Sequence, residues 1–268
     1  MSKVVVIKIG SSLVTDNNDS IDKVFIRSIS SQIREIIEKG FEVIVVSSGA
    51  IAHGMKYWGI KEKPKEIDKL QALSAVGQIG LINAYQDEFR IHGLIAAQVL
   101  MSHGDFKDNN RSKNIKTSLK NIFSLGAIPI INENDSVSTE EIQHGDNDQL
   151  SGEVASLIEA NFLIILTDQD GVYRDDPKKN SKTELIKNIN LNQLDNYKII
   201  FGKPGEFGRG GMETKLKAAK NFLNEKNKVW IANGKKEGSK EQHDVYGVGH
   251  CLPRMGFEFK ARMARMKP

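Results

Sequence analysis

The chain has 268 residues, of which 39% are hydrophobic and 27% are charged, as is typical of globular proteins. It contains no apolar run of the roughly eighteen residues that a membrane span needs and no signal-peptide pattern, and its single cysteine, Cys251, excludes an internal disulfide. These features together, with a lone cysteine that fits a reducing compartment, predict a cytoplasmic protein. The formal net charge of +4 comes from a basic C-terminal stretch, so nucleic-acid binding is not favoured.

The first elements predict a βαβ unit. Residues 4–9 form a β-branched run bounded by Gly10, which is typical of a buried strand. Apolar residues at helical spacing follow between positions 24 and 37, with Gly40 at the expected C-cap, and residues 42–46 read as a second strand. A strand, a helix and a second strand in this order favour a parallel sheet.

The alternation continues along the chain. The further predicted helices are 65–90, 112–125, 148–160 and 212–224, and the further predicted strands are 94–101, 127–131, 162–166 and 228–232. We find no internal repeat or linker, so residues 1–234 are predicted to form one α/β domain, a three-layer α/β/α sandwich with a mainly parallel central sheet. Residues 235–268 are predicted to be an atypical basic tail, interpreted as an altered or artificial end, with a genuine basic tail as the alternative.

Polar turns follow four of the predicted strands, and in parallel α/β sheets ligands bind at this edge. The turns are Gly10-Ser11-Ser12, Ser47-Ser48-Gly49, Asn132 to Asp135, and Thr167-Asp168. Their alignment is the strongest argument from the residues alone for an enzyme or a ligand-binding domain.

Two basic residues are candidates for phosphate contacts. Lys8 lies within an apolar strand, where a charge is unfavourable unless it meets a counter-charge; the alternative is an edge-strand lysine that points to water. Lys215 follows a glycine-rich segment, 207–215, that leads into a helix whose N-terminus favours an anion. Glycine-rich turns are also often merely permissive, and the chain has no GxxxxGK[ST] phosphate loop.

Two acidic and amide clusters, residues 132–135 and 145–148, are candidates for binding an ammonium group or a Mg²⁺-phosphate. The alternative is a pair of solvated turns, with Asp148 as a helix cap. Thr167 and Asp168 are candidates for a nucleotide contact, or they form an ordinary βα turn.

Seven segments in this order resemble the amino-acid kinase family, and within it the glutamate 5-kinases. They are VVVIKIGSSLVT, VVSSGAIAHGM, KLQALSAVGQIGL, PIINENDSVSTEEI, HGDNDQLS, FLIILTDQDGVYRDDP and GRGGMETKLKAAK. Each segment alone is modest, but the set in this order is highly specific. The motifs INENDSV and GDNDQLS, together with SSGAI, separate the chain from the UMP kinase, carbamate kinase and acetylglutamate kinase relatives. Many family members also carry a C-terminal PUA domain, and this chain is expected to be a short form without it.

The resemblance implies a function and a set of site residues. The function is ATP-dependent phosphorylation of the L-glutamate side-chain carboxylate to L-glutamyl 5-phosphate, the first step of proline biosynthesis. The implied catalytic residues are Lys8, Asp148 and Lys215, and the implied glutamate-binding residues are Ser48, Asp135 and Asn147. The implied ATP-binding residues are Lys8, Gly10, Thr167, Asp168, Arg209, Gly210, Gly211, Met212, Glu213, Thr214 and Lys215.

The resemblance further implies Mg²⁺ with ATP as co-substrate, a homo-oligomer, and hand-off of the product to glutamyl phosphate reductase. No protein ligand to a metal is assigned. Two alternatives stay open: another carboxylate or phosphate kinase of the same fold, and a non-catalytic amino-acid sensor or RNA-associated protein. The co-occurrence of Lys8, Asp148 and Lys215 favours an enzyme over the second alternative.

Overall fold

A computed structural model describes residues 3–16, 20–138, 147–175, 177, 180–186, 211–224 and 226–235. Its strands are β1 (Lys3–Ile9), β2 (Phe41–Ser47), β3 (Ala96–Met101), β4 (Ile128–Glu133), β5 (Phe162–Thr167), β6 (Val172–Tyr173), β7 (Leu185–Ile186) and β8 (Lys228–Asn233). Its helices are α1 (Ser11–Val14), α2 (Lys23–Glu38), α3 (Ala50–Tyr57), α4 (Ile67–Ile91), α5 (His103–Lys107), α6 (Asn109–Ser124), α7 (Asn147–Leu157) and α8 (Met212–Phe222).

The central sheet has six strands in the order β3-β4-β2-β1-β5-β8, and every neighbouring pair is parallel. Strands β1, β2, β4 and β5 are β-branched or leucine-rich and almost fully buried, as expected when both faces of a parallel sheet are covered. The prediction of a mainly parallel sheet is therefore confirmed.

Successive residues of each strand contribute to two separate cores, because side chains alternate between the faces of a strand. On one face Ile7 packs with residues of α2 and α4, including Ile33 and Tyr85. On the other face Val6 packs with residues of α7 and α8, including Val154 and Phe222. Two helical layers enclose the sheet, which confirms the three-layer sandwich. None of the described helices combines the length and the apolar character that a membrane crossing requires.

Helix α2 shows how local sequence sets element ends. The side chain of Asp22 caps its N-terminus by accepting a hydrogen bond from the backbone N–H of Phe25 at 2.9 Å. The helix ends at Glu38, and Gly40 follows with a φ of 83°, a left-handed conformation that glycine adopts readily. The C-terminal signal predicted at Gly40 is confirmed.

The structure differs from the predicted elements in two places. Helices α1, α3 and α5 and the β6–β7 pair were not predicted, because they are too short to show clear periodicity. Helix α7 ends at Leu157 instead of residue 160, since Glu159 adopts a positive φ of 57°. The predicted tail, residues 235–268, lies outside the described residues except for Lys235.

Helices α3 and α4 pack so closely that their contact requires glycine. A Cβ atom at Gly77 would lie 1.8 Å from the carbonyl oxygen of Ala50, and a Cβ at Gly54 would lie 1.9 Å from the carbonyl oxygen of Leu73. The obstructing atoms belong to the backbone, so a side chain at either position would have to push the helices apart. This contact fixes α4 relative to α3, which begins directly after the Ser47-Ser48-Gly49 turn.

We predict that Gly77→Ala lowers the free energy of unfolding by about 1–3 kcal/mol, because the new methyl group overpacks the α3–α4 contact. Gly104→Ala is the matched control: Gly104 is helical and exposed, and a Cβ there would meet its nearest heavy atom at 3.8 Å. Alanine is favoured over glycine in a helix, so this control should be neutral or stabilising by up to about 1 kcal/mol. Urea unfolding of both variants tests the prediction, and equal effects would contradict it.

Candidate functional site

Polar side chains gather where β1, β2, β4 and β5 end. The parallel register places Ile9 beside Ser47 of β2 and Leu166 of β5, so the turns after these three strands are neighbours. The N-terminus of α7 joins them, because its first two residues, Asn147 and Asp148, are buried against the same edge. The predicted edge of the sheet is therefore where the described polar residues converge.

Asp148 is fully buried and binds two lysines. Its Oδ1 lies 2.5 Å from Lys8 Nζ and its Oδ2 lies 2.9 Å from Lys215 Nζ. Thr214 also donates its hydroxyl to Oδ2 at 2.9 Å. The three predicted catalytic residues therefore meet in one cluster, although they belong to β1, α7 and α8.

The cluster favours binding of an anion. Its two ammonium groups face one carboxylate, so these three groups carry one more positive than negative formal charge. Lys8 and Lys215 are almost fully buried, and low exposure strengthens their attraction for a negative group. Helix α8 begins at Met212, next to the cluster, and the partial positive charge at its N-terminus also favours an anion.

Asn147 is the centre of a buried amide network. Its Nδ2 donates to the backbone oxygen of Ser47 at 2.7 Å, to Asn132 Oδ1 at 2.7 Å and to Ser48 Oγ at 3.2 Å. Its Oδ1 is buried and has no hydrogen-bond partner within the described residues. Because a buried amide oxygen is normally paired, this oxygen is a candidate acceptor for a ligand.

Asp135 belongs to the same side of the site and is half-buried. It accepts a hydrogen bond from Ser74 of α4, with 2.5 Å between Oγ and Oδ2. Burial raises the pKa of Asp135 to about 6; the negative charge of Glu133 also raises it, whereas the Ser74 hydrogen bond and Lys63 lower it. The two predicted glutamate-binding residues Asp135 and Asn147 are thus both acceptors.

The predicted ATP-binding residues divide into three groups. The backbone N–H of Gly10 donates a hydrogen bond to the backbone oxygen of Leu166 at 3.2 Å, which connects the turn after β1 to the end of β5. At that end, the Thr167 hydroxyl donates a hydrogen bond to Asp168 Oδ1 at 3.1 Å. Residues 211–215 form the start of α8, where Glu213 pairs with Lys217 at 2.9 Å on the exposed side. Arg209 and Gly210 lie outside the described residues.

Comparison with known proteins identifies the family. The model of the amino acid kinase family matches residues 3–233. The chain belongs to the amino acid kinase family. Among curated relatives it is 44% identical over 265 residues to the glutamate 5-kinase of Burkholderia cenocepacia, covering 99% of this chain and 70% of that protein. It is also 44% identical over 234 residues to that of Methylobacillus flagellatus, covering 87% of this chain and 63% of the relative.

Solved structures of two other kinases share the fold. An isopentenyl phosphate kinase has a TM-score of 0.61 at 17% identity, with 94% of this chain and 96% of that chain covered. The UMP kinase of Bacillus anthracis has a TM-score of 0.58 at 17% identity, with 88% of this chain and 89% of that chain covered. At these identities the likeness supports the fold alone.

The structure decides between the alternatives for Lys8. The interpretation as an edge-strand lysine pointing to water is wrong, because β1 lies between β2 and β5 and Lys8 is only 3% exposed. The interpretation of the Asn132–Asp135 segment as a solvated turn is also wrong in part, since Asn132 and Glu133 are buried. Asp148 contacts two lysines, so it is more than a helix cap.

Sequence reasoning did not single out Ser74 and Gln78 of α4, although both reach this amino acid kinase site. Ser74 contacts Asp135, and Gln78 Oε1 accepts a hydrogen bond from Asn132 Nδ2 at 2.7 Å. Their spacing could have indicated a shared role, because two polar residues four positions apart in the motif KLQALSAVGQIGL lie on the same side of a helix.

We predict that Asp135 makes folding stability fall as pH rises. Its pKa in the folded protein, about 6, is above the ordinary value near 3.9, so its contribution is fully present below about pH 4 and is lost as pH rises through about 6. Asp135→Asn removes this dependence. The difference in free energy of unfolding, variant minus wild type, should therefore be larger at pH 7 than at pH 4 by on the order of 1–3 kcal/mol. Urea unfolding across this range measures the difference, and a constant difference would contradict the assignment.

Proposed function

We propose that this amino acid kinase transfers the γ-phosphoryl group of ATP to the side-chain carboxylate of L-glutamate, producing L-glutamyl 5-phosphate in the first step of proline biosynthesis. The observation that carries the proposal is the buried cluster in which Asp148 holds Lys8 and Lys215 beside the Asn147 network. The similarity to curated glutamate 5-kinases over almost the whole chain supports the choice of acceptor.

The chemistry needs no general base. A free glutamate side chain has a pKa of about 4.3, so the attacking carboxylate is already ionised at neutral pH. The requirements are in-line positioning and positive charge around the transferring group. In the proposal Lys8 and Lys215 contact the phosphates and the transferring group, while Asp148 holds the two ammonium groups in place. Gly10, Thr167, Asp168 and residues 209–215 form the ATP side of the site.

The amino-acid side of the site is proposed to consist of Ser48, Asp135 and Asn147. Two of its groups are hydrogen-bond acceptors: the Asp135 carboxylate and the Asn147 Oδ1 that has no partner within the described residues. An acceptor repels a carboxylate and attracts an ammonium group, so these two groups fit the α-ammonium of glutamate. The opposite end of the substrate then extends toward the lysine cluster.

Mg²⁺ is proposed to enter with ATP. Among the described residues no three His, Cys, Asp or Glu side chains are grouped so that they could hold a metal ion, and Asp148 is already engaged by two lysines. These residues fit a metal held mainly by phosphates and water, as is common for Mg²⁺ in kinases. When bound, the metal would neutralise phosphate charge; no side chain is assigned to it.

Three further proposals concern the partners and the location of the protein. The product is an acyl phosphate that water hydrolyses, so rapid hand-off to a glutamyl phosphate reductase is expected. A homo-oligomer remains a prediction from the resemblance. A cytoplasmic location is proposed because the chain has one cysteine and an ordinary globular composition.

We predict that the purified protein releases ADP from Mg²⁺-ATP with glutamate, and that hydroxylamine then traps a hydroxamate. Aspartate, acetylglutamate, carbamate and UMP serve as separate control acceptors. Hydroxamate from glutamate alone is the expected result. Turnover with another acceptor only would show a different kinase of this fold, and ATP binding without any turnover would favour the amino-acid sensor.

We predict that Lys215→Ala lowers kcat by about 100-fold or more, because it removes a preorganised positive charge from the transferring group. Lys217→Ala is the matched control on the same helix: Lys217 is exposed and pairs only with Glu213 among the contacts described for it. This control should change kcat by less than about twofold, since exposed ion pairs contribute little. Comparable losses in both variants would remove Lys215 from the proposed mechanism.

A further inference from the structure

The motif KLQALSAVGQIGL places two polar side chains inside the protein. Ser74 and Gln78 are 4% and 8% exposed, and they lie one turn apart on α4. A buried hydroxyl or amide is unfavourable unless it is hydrogen-bonded. Ser74 donates to Asp135, which belongs to the proposed amino-acid side of the site. Gln78 accepts from Asn132, whose Oδ1 accepts from Asn147 of that side.

The chain of hydrogen bonds from Gln78 fixes which atom of Asn147 faces the site. Asn132 Oδ1 accepts from the backbone N–H of Glu133 at 2.9 Å, so its Nδ2 must be the atom that faces Gln78. Asn132 Oδ1 also accepts from Asn147 Nδ2. Asn147 Nδ2 is further held by the backbone oxygen of Ser47. Gln78 and the two backbone groups together therefore orient both amides, and Asn147 is left with Oδ1 as its acceptor toward the site.

The position of α4 depends on its glycine contact with α3. Backbone atoms of α3 occupy the space where a Cβ at Gly77 would lie, and Gly77 immediately precedes Gln78. Helix α3 itself starts after Ser48, whose hydroxyl accepts from Asn147. The same packing that brings the two helices together therefore brings Ser74 and Gln78 within reach of the site.

We infer that Ser74 and Gln78 are positioning residues that orient the two acceptors, the Asp135 carboxylate and Asn147 Oδ1, toward the ammonium group of the amino-acid substrate. The inference rests on the proposed function and deepens it by assigning recognition of the ammonium group to α4. Neither residue contacts the reacting atoms, so their loss should weaken amino-acid binding and leave phosphoryl transfer largely intact.

The experiment compares Ser74→Ala and Gln78→Met with Gln86→Met, a control on the same helix for which no hydrogen bond is described. The two test variants should raise the KM for glutamate about five- to fiftyfold, as expected when a buried hydrogen bond is lost. Their kcat and their KM for ATP should stay within about threefold of wild type. The inhibition constant of glutarate should also stay within about threefold, because glutarate has both carboxylates of glutamate and lacks the ammonium group. Ser74→Thr, which keeps a hydroxyl, should restore most of the glutamate affinity.

A second readout is the pH dependence of the glutamate KM. The Ser74 hydrogen bond lowers the pKa of Asp135, while Glu133 raises it and Lys63 lowers it. Ser74→Ala removes the hydrogen bond that lowers this pKa and keeps the influence of Glu133 and Lys63. The pH below which the KM for glutamate rises, because Asp135 becomes protonated, should therefore be higher in this variant than in wild type. If Ser74 has a purely structural role, this pH will not change.

The outcomes separate the inference from the proposed function. If wild type forms hydroxamate from glutamate and both test variants keep its glutamate KM, or lose kcat, ATP affinity and glutarate affinity together, the inference is wrong and the function stands. If wild type forms no hydroxamate from glutamate, the proposed function is wrong and the inference falls with it.

Discussion

The site depends on a single buried carboxylate that must satisfy two lysines. Asp148 is fully buried and contacts both Lys8 of β1 and Lys215 of α8. Removing a buried charge from its partner costs several kcal/mol, so the centre of the sheet, α7 and α8 cannot separate without loss of stability. The same pairing places two ammonium groups side by side, which is the arrangement that the proposed phosphate contact requires.

This arrangement is better explained by function than by stability. A buried ion pair is often no more stabilising than an apolar contact of similar volume, and a second buried ammonium makes the balance less favourable. Lys8 occupies a position in β1 whose neighbours in the parallel register are Val46 and Ile165, so a valine or isoleucine there would suit the sheet. The sheet alone therefore gives no reason for a lysine at this position, whereas the proposed phosphate contact does.

The sequence predicted the sheet well and the site contacts poorly, for a physical reason. The apolar runs predicted six strands within about two residues of their observed ends, because fully buried parallel strands are necessarily β-branched or leucine-rich. Whether Lys8 is buried depends on the strand order, which no local pattern encodes. The partners of Ser74 and Gln78 lie 61 and 54 residues away, so only the fold reveals them. The meeting of Lys8, Asp148 and Lys215 was expected from the family resemblance and not from their spacing.

Helix α7 joins the two halves of the site through adjacent residues. Successive side chains on a helix point about 100° apart, so Asn147 and Asp148 face different partners. Asn147 faces Ser47, Ser48 and the Asn132 amide at the acceptor side, whereas Asp148 faces the lysines. In the proposed function, this separation of charge orients a substrate that has an ammonium at one end and a carboxylate at the other. Only an exchange of the two residues would place the amide against the lysines and the carboxylate against the Asn132 amide, so in the proposed function the order of Asn147 and Asp148 sets which end of the substrate approaches the lysines.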